Sequence, residues 1–376
     1  MQPMSGHPNI IIYLFLFFSA FFLVIVLTPF TMTLAKKIGA MDYPEARKIH
    51  ATPIPRLGGL AIAVSIILTI VLFSAENPYL REGLPLASAM LPGLLIILAV
   101  GVYDDVRNAS ALLKLVSQVV AAGLAVGLGI RFQLASNPLA VQARDYFDLG
   151  TLSIPFTMLW IVGLTNAMNL IDGLDGLATG IAMFASIALF LISMQQSAGL
   201  VTYFYATIAG ATLAFLRFSR FPASVFLGDC GATFLGFLLA CLSVLGTQKS
   251  YTLAALFIPL IVFGVPIFDA SVTLIRRYLN QGEMMHADRG HIHHRLLSSG
   301  LTQRQAVIIL YGVSIVLGII AFAFTALLDE YAAVVLGIIG LLGGLTAKEL
   351  NAFGTARPRM EREFKYRQDR PERRDE

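Results

Sequence analysis

Long apolar segments run through most of this chain, and they limit its architecture more than any other feature. A membrane-crossing helix needs about 20 mostly apolar residues. Only 13% of the residues are charged, about half the share that is usual in soluble domains. We therefore expect an all-α, polytopic integral membrane protein rather than a soluble enzyme, a disordered chain or a disulfide-rich domain. About 11 segments qualify as transmembrane helices: 10–35, 57–74, 84–103, 112–130, 151–168, 177–194, 199–216, 231–247, 252–272, 306–327 and 331–347.

Basic residues are distributed unevenly over the connecting segments. With the N-terminus placed outside, all but four of the 27 Lys and Arg residues lie in the inner loops and the C-terminal tail. Because cytoplasmic loops are enriched in Lys and Arg, this bias predicts an outer N-terminus and a cytoplasmic C-terminus. We expect a transmembrane domain over residues 1–350 and a charged, disordered cytoplasmic tail over 351–376. The four exceptions are Arg81, Arg131, Arg144 and Lys249.

Aspartates gather at the inner ends of the predicted helices. A carboxylate near hydrocarbon is costly, and it is tolerated when it faces a polar cavity or a cation. Several such residues on one side of the membrane therefore predict a cation site. The residues are Asp104, Asp105, Asp172, Asp175, Asp229, Asp269 and Asp288.

Two of these aspartates are adjacent, in the segment GVYDDVRN. Side chains of neighbouring helical residues point about 100° apart, so Asp104 and Asp105 need not share a role. One of them could face a metal or a lysine, and the other a substrate hydroxyl or phosphate. The alternative is a solvated turn in which a carboxylate caps the next helix.

The segment NAMNLIDGLDGLATG, residues 166–180, is the longest polar motif. Asn166, Asn169 and Asp172 are spaced by three residues, as are Asp172 and Asp175, so they share a helical face. The glycines between them permit unusual backbone geometry or the close approach of a ligand. Four polar groups on one stripe favour a binding site over a simple capping turn.

Asp229 lies between two glycines in FLGDCGATFLG, at the predicted start of a helix. Backbone N–H groups at a helix N-terminus attract anions, and Asp229 could itself be an N-cap. In the company of the other aspartates, we favour a metal ligand.

The longest inner loop, residues 266–296, contains most of the histidines. Imidazole can bind Zn²⁺, act as an acid or base, or donate to a phosphate. Flanking Arg289 and Arg295 are unfavourable beside a metal and favourable beside a diphosphate. The alternative is a basic loop that only sets topology. The histidines in question are His286, His291, His293 and His294.

The first inner loop, residues 36–59, contains Lys48, His50 and Arg56. These cations could meet anionic headgroups, or they could serve the topology alone. Carboxylates, a glycine-rich helix start and a His/Arg loop together are typical of sites that handle diphosphates with Mg²⁺. A reaction at this site would join a soluble cytosolic anion to a molecule reached from the bilayer.

The motifs DDVRN…KLVSQ, NAMNLIDGLDGLATG, FLGDCGATFLG and ADRGHIHHRL, in this order, resemble those of the polyprenyl-phosphate N-acetylhexosamine-1-phosphate transferases. The resemblance covers roughly residues 20–350. The HIHHRL form is similar to the branch that initiates cell-envelope glycans, rather than to the branch that makes lipid I from a muramoyl-pentapeptide. Cys230 and Ala232 depart from the family, which often has Ser in GDxGS.

The resemblance implies a bacterial inner-membrane enzyme whose active site faces the cytoplasm. Such an enzyme transfers N-acetylhexosamine-1-phosphate, with GlcNAc-1-phosphate as the best guess, from a UDP-sugar to undecaprenyl phosphate and releases UMP. The product would be the lipid-linked first sugar of a glycan such as lipopolysaccharide or teichoic acid. The implied cofactor is Mg²⁺, with Mn²⁺ as an alternative. No nucleic-acid partner is expected, and a homodimer stays open.

The resemblance also implies roles for single residues. Asp229 and Asp172 would hold the metal, and Asp104, Asp105, Asp172 and Asp175 would be catalytic-site acids. One of the adjacent pair is a candidate base, although a lipid phosphate with a second pKa of about 6 is already mostly ionised at pH 7. The implied substrate contacts are Asn166, Asn169, Asp269, Asp288, Arg289, His291, His293, His294, Arg295, Lys48 and Lys114.

Two other classes of function were weighed against this one. A transporter or channel with acidic gates would place ionisable residues near the middle of its spans, whereas here they lie at the inner ends. A scaffold that has lost activity is disfavoured because every acidic motif position is present.

Overall fold

The structure is a computed structural model. It describes residues 10–44, 52–132, 134–136, 146–196, 199–247, 253–279 and 291–325. The helices within these residues are α1 (Ile10–Ile38), α2 (Gly58–Glu76), α3 (Pro78–Ser88), α4 (Leu91–Arg107), α5 (Ala111–Gly127), α6 (Ser153–Ile171), α7 (Leu177–Gln195), α8 (Leu200–Ser219), α9 (Gly228–Thr247), α10 (Leu253–Val262), α11 (Gly264–Leu279), α12 (Ile292–Ser298) and α13 (Gln303–Phe324).

Four short strands accompany the helices, which the all-α prediction missed. They are β1 (Met41–Asp42), β2 (Ile54–Pro55), β3 (Leu134–Ser136) and β4 (Tyr146–Asp148). They form two antiparallel pairs, β1 with β2 and β3 with β4. Strands of two or three residues are too short to show the alternation of polar and apolar residues that reveals a strand in a sequence.

Eight segments of the described residues are long and apolar enough to cross a membrane. The chain is therefore a multi-pass membrane protein, as predicted. A further predicted span, 112–130, corresponds to the shorter apolar helix α5. The predicted span 331–347 and the tail 351–376 lie outside the described residues, so the count of 11 and the orientation stay predictions. The eight segments are Ile10–Ile38, Gly58–Ala75, Gly83–Arg107, Gly150–Ile171, Leu177–Gln195, Leu200–Ser219, Gly228–Thr247 and Gln303–Phe324.

The predicted span over 252–272 is divided in the structure. The structure has two helices there, α10 and α11, with a break at Phe263. Pro266 explains the break, because proline has no N–H to donate to the carbonyl of Val262 and its ring collides with that carbonyl in a regular helix.

Helix α9 is the central element of the bundle. Every residue from Cys230 to Leu245 is buried, and the helix packs against α2, α4 and α6. Small residues let the backbones come close, as is usual between helices in membranes. A β-carbon on Gly231 would lie only 2.6 Å from the Cα atom of Gly59 on α2. This packing fixes the first turn of α9, which contains Asp229, at one end of the bundle.

Candidate active site

Polar side chains from four helix ends meet at one end of the bundle. The ammonium of Lys114 on α5 lies 2.7 Å from Oδ2 of Asp229 on α9 and 3.0 Å from Oδ2 of Asp104 on α4. Asn169, near the end of α6, donates from Nδ2 to the same oxygen of Asp229 over 3.3 Å. We call Asp104, Lys114, Asn169 and Asp229 the Lys114 cluster.

A tight turn between α4 and α5 brings Lys114 back to Asp104. Asn108 ends α4 in a left-handed conformation, with φ of 56°, which asparagine adopts more readily than most residues. The N–H of Ala109 then donates to Oδ1 of Asp104 over 2.6 Å, and Ser110 caps the start of α5. The turn therefore holds one oxygen of Asp104 and leaves the other for Lys114.

A shallow cleft adjoins the cluster. Its polar lining comes from Lys114, Ser117, Gln118, Asp229 and Thr233, and its apolar wall comes from α4. Gln118 is 2% exposed and accepts a hydrogen bond from Nδ2 of Asn166. The cleft therefore combines a cation, a carboxylate and neutral polar groups with an apolar side.

Asp105 and Asp175 face backbone rather than the Lys114 cluster. The two carboxylate oxygens of Asp105 accept from the N–H groups of Asp229 and Cys230, over 2.9 and 3.1 Å. Oδ2 of Asp175 accepts from the N–H of Ala223 over 3.0 Å. The adjacent pair is thus divided, as the helical geometry suggested, with Asp104 toward Lys114 and Asp105 toward α9.

Asp172 follows α6 directly and lies within electrostatic reach of the other acids. Burial raises the pKa of Asp172 well above its usual range, and the negative charges of Asp229, Asp105 and Asp175 add to the rise. The positive charge of Arg56 acts in the opposite direction. A carboxylate in such surroundings is stabilised in its ionised form by an added cation.

Asp269 on α11 holds the segment that contains the histidines. Its Oδ2 lies 2.9 Å from Nδ1 of His291, and its Oδ1 accepts from the N–H of Ile292 over 2.7 Å. A carboxylate at this position accepts, so Nδ1 of His291 bears the proton. We call Asp269 together with His291–Ser298 the histidine segment. Within it, the structure places Asp269 as an anchor for His291, although the sequence predicted a substrate contact.

His293 packs against the glycine-rich motif. A β-carbon on Gly173 would collide with Nε2 of His293. The His293 ring is buried, it stacks on His291 with centroids 5.7 Å apart, and His294 lies 4.3 Å away. Burial, with a smaller effect of His294, lowers the pKa of His293 to about 3, so the ring is neutral at pH 7. Neither of its ring nitrogens has a hydrogen-bond partner.

The remaining predicted residues divide into two groups. Arg295 is buried in α12, and His294 is exposed beside it. Lys48, Asp288 and Arg289 lie outside the described residues, so their predicted substrate contacts stay predictions.

Three residues of this region were not predicted from the sequence. Gln118 lies four residues after Lys114, a spacing that places both on one face of α5 and would have revealed it. The hydroxyl of Tyr311 on α13 donates to the carbonyl of Gly176 over 2.7 Å, but an aromatic residue in an apolar helix gives no such signal. Arg56 was interpreted only as a cation of the first loop, and its proximity to Asp172 depends on the pairing of β1 with β2.

The donor chemistry of the cluster fits Mg²⁺. In the part of the chain that the structure describes, no group of three or more His, Cys, Asp or Glu side chains could hold a metal ion alone. Mg²⁺ does not need such a group, because it usually takes one or two carboxylates together with substrate phosphates and water. Carboxylate oxygens of Asp229 and Asp172 are suitable ligands of this kind.

The chain is similar to several proteins that are named as transferases. Residues 87–247 match the family described as glycosyl transferase family 4. A Bacillus subtilis protein named "Probable undecaprenyl-phosphate N-acetylglucosaminyl 1-phosphate transferase" is 38% identical over 298 residues, which cover 79% of this chain and 81% of that protein.

Two further relatives extend the comparison. The decaprenyl-phosphate N-acetylglucosaminephosphotransferase of Mycobacterium tuberculosis is 32% identical over 340 residues, covering 83% of each chain. The phospho-N-acetylmuramoyl-pentapeptide-transferase of Aquifex aeolicus is 30% identical over 341 residues, covering 82% of this chain and 91% of that protein. The names of the Bacillus subtilis and Mycobacterium tuberculosis relatives include a prenyl phosphate, and the name of the Aquifex aeolicus relative includes a muramoyl-pentapeptide.

Proposed function

The chain belongs to glycosyl transferase family 4, and we propose that it transfers N-acetylhexosamine-1-phosphate from a UDP-sugar to undecaprenyl phosphate. The transferred group is GlcNAc-1-phosphate, in line with the names of the Bacillus subtilis and Mycobacterium tuberculosis relatives. The product is the lipid-linked first sugar of a cell-envelope glycan, of the lipopolysaccharide or teichoic acid kind. A muramoyl-pentapeptide substrate is the second candidate, because the Aquifex aeolicus relative has that name.

The observation that carries this proposal is the contact of Lys114 with both Asp104 and Asp229 beside the cleft. Three motifs that are far apart in the sequence supply these residues and Asn169. An ammonium and amide donors suit phosphate oxygens, and the carboxylates suit a divalent cation. The arrangement therefore has the parts that phosphoryl transfer requires, which are mainly positioning and electrostatic stabilisation.

The reaction joins two phosphates at the cleft. An oxygen of the lipid phosphate attacks the β-phosphorus of the UDP-sugar, and the bond from that phosphorus to the bridging oxygen breaks. UMP leaves with the bridging oxygen and its electron pair. Lys114 and Asn169 orient phosphate oxygens, and the histidine segment contacts the sugar or diphosphate. Asp104 is not needed as a general base, because the lipid phosphate is already mostly ionised at pH 7.

Mg²⁺ is the proposed cofactor, with Mn²⁺ as a substitute. Asp229 and Asp172 would hold it together with substrate phosphates. When bound, the ion offsets the negative charge that develops on the departing UMP.

A transporter is disfavoured by where the acids lie. Among the described residues, five aspartates gather at the end of the bundle where Lys114 lies: Asp104, Asp105, Asp172, Asp175 and Asp229. Acidic gates for transport would instead be spread toward the middle of the spans.

The direct test is turnover by purified protein in detergent micelles. We expect undecaprenyl phosphate and UDP-GlcNAc, with Mg²⁺, to give UMP and a lipid-linked sugar detected by mass spectrometry, and chelation of Mg²⁺ to stop the reaction. Parallel reactions with UDP-GalNAc and UDP-muramoyl-pentapeptide identify the sugar. A protein that releases no UMP with any of these donors would contradict the proposal.

The proposed orientation places the site at the cytoplasmic face of a bacterial inner membrane. Both natural cysteines, Cys230 and Cys241, are buried, which allows a labelling test in intact cells. We expect Leu128→Cys to react with a membrane-impermeant maleimide and Ser224→Cys to react only after the membrane is opened. The reverse pattern would place the site outside.

A further inference from the structure

We propose that Asp105 is a positioning residue, which fixes the Asp229 carboxylate at the cleft by capping α9 from another helix, and that it is not a base. The inference rests on the proposed function and deepens it, because it assigns separate roles to two adjacent aspartates whose roles the sequence left open.

The N-terminus of α9 has no capping residue of its own. A helix begins with four backbone N–H groups that have no partner within the helix. They are usually met by a Ser, Thr, Asp or Asn at the N-cap, but α9 follows Leu227, which has no side-chain acceptor. Asp105 supplies the missing acceptors, since its two oxygens take the N–H groups of Asp229 and Cys230. The cap therefore comes from α4, 124 residues earlier in the chain.

Helices α4 and α9 pack closely around this contact. Gly228 has φ of 74°, a left-handed conformation that side chains disfavour. A β-carbon there would lie 2.6 Å from Oδ2 of Asp105. Gly101, one turn before Asp105 on α4, meets Cys230 so closely that a β-carbon would collide with its Cα atom. Glycine at both positions lets the end of α4 reach the start of α9.

Asp105 is poorly accessible to a substrate. Asp105 is 5% exposed, and each of its oxygens already accepts a hydrogen bond. A general base must lie about 2.6–3.2 Å from the atom whose proton it removes. Among the described residues that line the cleft, the acidic one is Asp229. The carboxylate of Asp105 instead interacts favourably with the positive end of the α9 dipole. It also holds the backbone from which the Asp229 side chain projects.

The experiment compares Asp105→Asn and Asp105→Ala with wild type in two measurements. Asparagine keeps one acceptor of similar shape, whereas alanine removes both. A hydrogen bond is worth roughly tenfold in an equilibrium. We therefore expect kcat to fall about tenfold in Asp105→Asn and about a hundredfold in Asp105→Ala, with a smaller change in KM for the UDP-sugar and an unchanged shape of the pH profile.

The second measurement is amide hydrogen exchange in residues 228–233. We expect faster exchange in Asp105→Asn and faster still in Asp105→Ala, because the capped N–H groups lose acceptors. Thr302→Ala is the matched control, since it removes the capping box of α13. It should speed exchange at the start of α13 and leave α9 and kcat unchanged.

Three results would overturn the proposal. One is loss of all turnover in Asp105→Asn with normal exchange in α9. Another is a pH profile that loses its acidic limb in that variant. The third is unchanged exchange in either variant. If wild type releases no UMP, the proposed function fails, while the exchange measurement still decides whether Asp105 holds α9.

Discussion

The Lys114 cluster and the histidine segment use carboxylates in opposite ways. In the cluster, Asp104 and Asp229 share one ammonium, and the side chains of Lys114 and Asp229 are 28% and 26% exposed. In the histidine segment, the side chain of Asp269 is 4% exposed and is committed to one imidazole and one backbone N–H. A carboxylate with a shared, accessible counter-ion can accept another cation, whereas a buried and saturated one maintains a shape. We therefore expect the chemistry at the Lys114 cluster and a positioning role for Asp269 in the histidine segment.

The largest effect should come from Asp229→Asn. This change removes the charge that faces the cleft while keeping the size of the side chain. We expect kcat to fall by about 1,000-fold or more, because removal of one electrostatic contact to a transition state typically costs 100- to 1,000-fold and this residue is also a proposed metal ligand. The measurement is UMP release by purified protein.

The control for that change is Asp175→Asn, because Asp175 is an acid of the same region that holds the backbone of Ala223. We expect Asp175→Asn to lower kcat about tenfold. Equal losses of kcat in the two variants would contradict the distinction between carboxylates that face the cleft and carboxylates that hold the backbone.

Lys114→Met should have the next largest effect. It leaves Asp104 and Asp229 without their common ammonium, which should lower the stability of the metal-free protein by about 2 kcal/mol, a value between exposed and buried ion pairs. We expect Mg²⁺ to raise the melting temperature more in this variant than in wild type, since a divalent ion replaces the lost charge. Turnover should fall about a hundredfold.

Arg107→Met is the matched control, because it removes a positive charge from an exposed side chain at the end of α4. Its response to Mg²⁺ should match wild type. A Lys114→Met protein that Mg²⁺ fails to stabilise would show that the cluster does not accept the ion.

Asp269→Asn tests the histidine segment. Asparagine keeps one oxygen but loses the charge and one acceptor, so His291 is held less firmly. We expect kcat to fall about tenfold to thirtyfold, the cost of roughly one hydrogen bond to a charged group. Thr273→Val, which removes a hydroxyl 3.4 Å from Nδ1 of His291, should change kcat less than threefold. A thousandfold loss in Asp269→Asn would place Asp269 in the chemistry instead.

The smallest effect concerns stability in acid. Burial lowers the pKa of His293 to about 3 in the folded protein, against 6.5 when exposed. Between these values the unfolded chain binds a proton that the folded protein does not, so stability falls as the pH falls. The loss is about 3 kcal/mol between pH 6.5 and pH 4.

His293→Gln should weaken this dependence, measured as melting temperature against pH in micelles. His294→Gln is the control, because His294 is exposed and should leave most of the slope in place. Identical slopes in wild type and His293→Gln would mean that the imidazole is not held neutral.

Much of the fold and of the site could be predicted from the sequence. The length of the apolar segments predicted the eight long apolar helices. The aspartates could be assigned to helix ends because carboxylates avoid hydrocarbon. The sequence could not show which of the two residues, Asp104 or Asp105, faces Lys114. That choice depends on how α4 packs on α9, which is a contact between residues 124 positions apart.

Other features were hidden for local reasons. The break at Phe263 had a signal in Pro266, but the apolar composition of 252–272 concealed it. The approach of His293 to Gly173 left no trace in either motif, because it is a tertiary contact between a ring and a bare backbone. The role of Asp269 as an anchor likewise depends on α11 and α12 coming together.

The tight turn between α4 and α5 also has a consequence for biosynthesis. Asp104 and Lys114 are 10 residues apart, whereas Asp229 is 115 residues beyond Lys114. The hairpin thus leaves the ribosome with an acid and its neutralising base side by side, and it can enter the bilayer as a nearly uncharged unit. Asp104 can therefore neutralise Lys114 before α9 and Asp229 have been made.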